Sequence, residues 1–135
     1  MESYEFVIPG RPVSVHARRT PAYQAWKETV LMTALDKWPG IFPFTRFDAY
    51  LTIVFVSEER SRIDVDNVIK PIQDAFTGFY YGDDEMVSDV SVHRRRWEDE
   101  VADEGLPRLL RAAWEDRIDC VYVRLETTRN LRELL

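Results

Sequence analysis

Two carboxylates set two residues apart, Asp64 and Asp66, open the stretch of this sequence richest in chemistry, IDVDNVIKPIQDAFTGFYYGDDEMV over residues 63–87. Asn67, Lys70 and Asp74 follow them, and Asp83, Asp84 and Glu85 come after a Thr-Gly turn and two tyrosines. Carboxylates are hard oxygen ligands, and Mg²⁺ is typically held by one or two of them, with water and phosphate oxygens completing its shell. In an extended segment residues two apart leave on the same face, so Asp64 and Asp66 share one. If that segment meets the Asp83–Asp84 turn, three or four carboxylates surround one small volume. Such a cluster repels itself unless a cation neutralises it. A metal site is the economical reading.

Plainer readings stand beside it. Aspartate is common in turns, and Asp66 also suits the N-cap of a helix. A glycosyltransferase-like D-x-D is compatible but unspecific. An EF-hand is excluded, because the sixth position from Asp64 is Ile69 rather than Gly and the twelfth is Ala75 rather than Glu. Lys70 offers either a charge for a reacting phosphate or a salt bridge with Asp66 or Asp74. Asp74 reads as structural, holding Lys70 or Asn67, and Asn67 either orients Asp66 or caps the helix. No Cys/His spacing fits zinc, and no Gly-rich loop fits a nucleotide cradle.

In order and spacing, Asp64-x-Asp66-Asn67-x-x-Lys70, then Asp74-Ala75-Phe76-x-Gly78, then Tyr81-x-Asp83-Asp84 resembles the RusA family of Holliday junction resolvases. Pro9-Gly10-Arg11-Pro12-Val13-Ser14 is similar to that family's first strand and turn. The resemblance implies a dimeric, Mg²⁺-dependent (alternatively Mn²⁺-dependent) endonuclease of phage or prophage association, acting on four-way junctions in recombination and repair. By motif, the catalytic set falls on Asp64, Asp66, Asp84 and Lys70. The metal ligands are then Asp64, Asp66 and Asp84, with Asp83 the rival for the third carboxylate. These residue types suit phosphodiester hydrolysis, which needs a water nucleophile, relief of phosphate charge and stabilisation of the leaving oxygen.

Charge bears on the partner. The chain has 18 Lys and Arg against 24 Asp and Glu, a formal charge of −6, which as an average argues against nucleic acid. The distribution softens this. Fifteen of the cations are Arg, suited to bidentate phosphate contact. Four of the acids belong to the suspected metal site. Arg11, His16, Arg18, Arg19 and Arg94, Arg95 and Arg96 are the expected DNA contacts, with His93 on the strand face of Arg95 either solvated or touching DNA. Two alternatives are kept. One is a non-catalytic DNA-binding or phage accessory protein; the other is a metal-dependent enzyme acting on small nucleotides, which the acidic pI fits better.

The elements that must position these residues follow from pattern. Tyr4–Ile8 is a short strand ended by Pro9-Gly10. Thr20 as N-cap and Pro21 at the first helical position start a helix over 21–38, whose inner face is expected to hold Ala22, Ala25, Trp26, Thr29, Val30, Thr33, Ala34 and Trp38. Phe47–Val56 reads as a central strand buried on both faces. Ile69, Ile72 and Phe76 make an apolar stripe, but Pro71 predicts distorted first turns and a regular helix only from about Pro71 to Phe76. Met86–Trp97 alternates as a strand, Leu106 to Trp114 forms a short amphipathic helix, and Ile118–Glu126 is a last strand. Residues 129–135 read as a leucine-bearing tail.

The expectation is a single α+β domain over residues 1–135, with a mixed sheet of about four strands and about three helices. Lacking a signal-peptide pattern or a membrane-length apolar run, it is expected in the cytoplasm. Cys120, the single cysteine, is expected to be buried.

Overall fold

In the computed structural model, which describes residues 3–17, 19–36, 48–58, 64–77, 87–99 and 105–135, a nine-residue strand, β2 (Ala49–Ser57), runs through the interior of a four-stranded sheet. Its run of β-branched and aromatic residues is buried on both sides, as an interior strand requires. The other strands are β1 (Ser3–Pro9), β3 (Val87–Arg96) and β4 (Cys120–Thr127), in the order β1-β4-β2-β3. β4 is antiparallel to both neighbours, whereas β2 and β3 are parallel. β1, β2 and β3 therefore point one way and β4 the other, giving the mixed sheet expected. The parallel pair needs a crossover, and α2 (Val65–Phe76) supplies it.

The sheet is covered on both faces. α1 (Pro21–Asp36) and α2 bury Trp26, Val30, Ala34, Val68, Ile72 and Phe76 against Phe6, Ile8, Leu51, Ile53, Phe55, Val121, Val123 and Leu125. Each fully buried aliphatic side chain here contributes on the order of 1.5–3 kcal/mol. On the opposite face α3 (Arg108–Glu115) sets Leu110 and Ala113 against Val56, Cys120, Tyr122 and Trp97. Trp114 meets Trp97 edge-on, with ring centroids 5.5 Å apart. Cys120 is buried as expected, and burial together with the Asp119 charge pushes its thiol up to about 11. Among the described residues no helix is long and apolar enough to cross a membrane.

Three local expectations are corrected. On α1, Ala22 and Ala25 are exposed and Tyr23 takes the inner position with Trp26. The helix start is as expected, with the Tyr23 N–H donating to Thr20 Oγ1 at 3.2 Å. α2 is continuous from Val65, with Pro71 inside it. The proline removes one ladder bond, but it lies on the buried face with Val68, Ile72, Ala75 and Phe76, and that burial holds the helix through it. The tail holds a fourth short helix, α4 (Leu131–Leu134), because Asn130 caps it by accepting the Arg132 N–H at 3.0 Å. A single 3₁₀ turn, Val15–Ala17, precedes α1.

Candidate metal centre and nucleic-acid interface

α2 leaves the carboxyl end of β2 and returns the chain to the start of β3, so its first turn lies at the carboxyl end of the parallel pair. Asp64 is the N-cap residue and Asp66 stands in the first turn. The Asp64 carbonyl accepts the Asn67 N–H at 3.0 Å, which starts the helix, but its carboxylate makes no capping bond. Asp66 is exposed as well. Among the described residues neither carboxylate has a hydrogen-bond or ion-pair partner. The capping alternative therefore fails for both side chains.

Lys70 and Asp74 share the polar flank of α2 and form an i,i+4 ion pair at 3.1 Å. This is one of the two roles the sequence allowed for Lys70, and its side chain remains 48% exposed. Asn67 is half-buried on the same flank. Pro71 has no N–H to give the Asn67 carbonyl, so that oxygen lacks its usual ladder donor. Asp83 and Asp84 lie outside the described residues, as do Arg18, Tyr80, Tyr81 and Trp38. Among the described residues no three acidic, histidine or cysteine side chains are grouped to hold a metal ion.

The expected DNA contacts divide into three sets. The 3₁₀ turn packs against α2, which brings His16 to the helix that carries the carboxylates, and Arg19 follows two residues after the turn. Both are exposed, and neither has an acidic partner among the described residues. Arg94, Arg95 and Arg96 end β3 and line a cavity of about 330 Å³ together with Asp99. Strand alternation separates them: Arg94 pairs in register with Phe55 on the α2 side of the sheet, and Arg95 with Val56 on the other. Arg96 is held by Glu98 at 3.0 Å and by Asp99 at 3.8 Å. Arg11 is engaged by Asp119, its Nε donating to the carboxylate at 2.8 Å.

Asp119 is the residue that sequence reasoning missed. It immediately precedes β4, at the sheet end where β1, β2 and β3 terminate. Oδ1 accepts the Glu58 N–H at 2.8 Å and the Trp97 indole N–H at 2.9 Å, Oδ2 accepts from Arg11, and its carbonyl accepts the Gly10 N–H at 2.8 Å. Burial raises its carboxyl pKa, but the Trp97, Arg11 and Glu58 hydrogen bonds and the Arg11 charge outweigh it, so the net shift is downward. Glu58, Trp97, Glu98, Arg117 and Asp119 line a second cavity of about 500 Å³ at this end. A lone acid before a strand carries no signal of such a role.

No curated protein matches the chain. Residues 9–104, which span β1's last residue through β3 and the acidic segment after it, match the family described as Endodeoxyribonuclease RusA. That stretch is well over half of the 135 residues and contains Asp64, the N-cap residue of α2, and Asp66 and Lys70 within the helix. The chain therefore belongs to the RusA endodeoxyribonuclease family.

Proposed function

We propose that this protein is a Mg²⁺-dependent endonuclease that cuts branched DNA at four-way junctions. One observation carries the reading. In a member of this family, the amino end of α2 presents the Asp64 and Asp66 carboxylates to solvent, engaged in neither cap nor ion pair among the described residues. A side-chain cap at such an end is worth about 1 kcal/mol. Forgoing it leaves two hard oxygen ligands available, a donor set that suits Mg²⁺ or Mn²⁺ better than zinc. Asp84, or Asp83 in its place, supplies the third carboxylate of the proposed site.

When bound, Mg²⁺ supplies charge relief at the scissile phosphate and an acidified water. The chain's own residues do the rest. Asp64 and Asp66 would hold that ion at the amino end of α2, where the helix dipole also favours the phosphate anion facing it. Lys70, one turn further on, is steadied by Asp74 and keeps an exposed ammonium to stabilise the leaving 3′ oxygen. His16 in the turn beside α2, Arg94 to Arg96 at the end of β3, and Arg11, Arg18 and Arg19 hold flanking phosphates. A four-way junction presents paired, symmetry-related cut sites, and a two-fold dimer offers one active site to each.

The test is incubation with a synthetic four-way junction, a flap and a linear duplex, with and without Mg²⁺. Paired cuts in the junction that require Mg²⁺ are expected. Junction binding with no cut in Mg²⁺ or Mn²⁺ would favour a DNA-binding accessory protein. Hydrolysis of free nucleotides with all three DNAs intact would favour the small-nucleotide enzyme.

A further inference from the structure

We propose that Asp119 is a positioning residue for the site on α2, holding the sheet end from which the Asp64–Asp66 segment departs and aiming Arg11 at that same end. The proposal rests on the nuclease reading for its chemistry, but its geometry stands apart from it. Asp119 lies beyond the stretch that matches the family, whereas the groups it fastens, Gly10, Arg11, Glu58 and Trp97, all lie within it.

Those four groups follow the ends of three strands. Gly10 and Arg11 come after β1, Glu58 after β2 and Trp97 after β3. One residue accepts from all three places. Glu58 matters most, because it ends the described stretch that precedes Asp64 and Asp66 in the chain. The bond from Glu58 N–H to Asp119 is 2.8 Å, and the Trp97 N–H bonds the Ser57 carbonyl at 3.0 Å, so β2's exit is held from two sides. Trp97 is itself clamped, its carbonyl accepting the Trp114 indole N–H at 3.1 Å. A ligand pair is only as well placed as the structure that supports it. Arg11 gains a fixed direction from the same carboxylate while its side chain stays 53% exposed.

The alternative is that Asp119 contributes stability and nothing else. Asp119→Asn and Asp119→Ala in the full chain separate the two, with the core variant Val30→Ala as a reference for plain destabilisation. Asparagine keeps a carbonyl oxygen for the Glu58 and Trp97 donors; alanine keeps none. The readings are the Mg²⁺ concentration for half-maximal junction cutting, the junction Kd, and hydrogen exchange of the amides of Glu58 and residues 64–70. Asp119→Ala is expected to raise the half-saturating Mg²⁺ about tenfold or more, as loss of a group that orients metal ligands does. It should also speed exchange in the first turn of α2 and lower junction affinity severalfold through the released Arg11, and the metal dependence and exchange should be largely rescued by Asp119→Asn. Val30→Ala should lower the melting temperature without moving the metal dependence.

If Asp119→Ala does not fold, Trp97→Phe removes one donor while keeping most of the ring. It is then expected to raise the half-saturating Mg²⁺ severalfold, and an unchanged value would overturn the proposal. Wild-type metal dependence and exchange in Asp119→Ala would overturn it too, as would changes no larger than those of Val30→Ala. If the wild-type protein cuts no junction, the nuclease reading falls and exchange decides. Faster exchange at residues 64–70 in the alanine variant, restored by asparagine, upholds the positioning role, and its absence ends it.

Discussion

At the scale of single residues the contrast is between carboxylates engaged in structure and carboxylates that are not. Asp119 gathers donors from three strand ends, and Asp74 holds Lys70; Asp64 and Asp66 hold nothing among the described residues. The consequence is sharpest for Asp66→Asn. The amide preserves size, and no side-chain bond is lost, so the fold should survive. One ligand charge disappears, with an expected loss of about a thousandfold in cutting rate, or several kcal/mol of transition-state stabilisation. Junction binding in a gel-shift assay should be equal to wild type or tighter, because a charge that repels DNA has gone. Asp119 behaves oppositely. Its lowered carboxyl pKa contributes stability in full above the ordinary value of 3.8, and this is lost as pH falls through the lowered one. The stability gap between wild type and Asp119→Asn, read from urea melts, should therefore hold steady from about pH 7 to about pH 5 and narrow below about pH 4.

At the scale of elements, the termini of helices explain both what can be read from sequence and what cannot. α1 is legible because its start is a local signal, Thr20 followed by Pro21, and the observed cap bond is that signal at work. The start of α2 is not, because Pro71 is locally a helix breaker and nothing near it in sequence announces the buried face that outweighs the missing bond. Asp64 and Asp66 are legible as candidate ligands from type and spacing; Asp119 is not. Its bonds join residues 108 and 61 positions apart, and a link of that reach has no local pattern. α3 ends in a device the sequence also hides. Ile118 N–H bonds the Ala113 carbonyl and Arg117 N–H the Trp114 carbonyl, the paired bonds of a Schellman turn, with Arg117 at φ 51° where glycine is favoured. Arg117→Gly should relieve that backbone and raise stability by up to about 1 kcal/mol in a denaturant melt.

At the scale of the molecule, apolar surface remains after both faces of the sheet are covered. Met32 and Leu35 on α1 and Leu131 and Leu135 at the tail are exposed, Met32 by 58%. Such surface, with the symmetry of the proposed substrate, leads to an expected two-fold dimer. Light scattering at micromolar concentration should return about twice the 15.9 kDa chain mass, and a monomer unchanged by junction DNA would count against the resolvase reading.

The strand order also dictates a sequence of events during synthesis. β4 lies between β1 and β2, so β1 has no partner in the sheet until β4 has been made. The β2–α2–β3 unit can pair as soon as it emerges from the ribosome; β1, translated before it, must wait with an open edge. Such non-local pairing slows folding and prolongs exposure to wrong partners. Pro9 at the end of β1 and the three arginines closing β3 are residues of the kind that discourage edge-to-edge pairing. The arrival of β4 then completes the sheet, and Asp119 just before it fastens the strand ends together. The nascent chain thus acquires its candidate ligands early and their anchorage late.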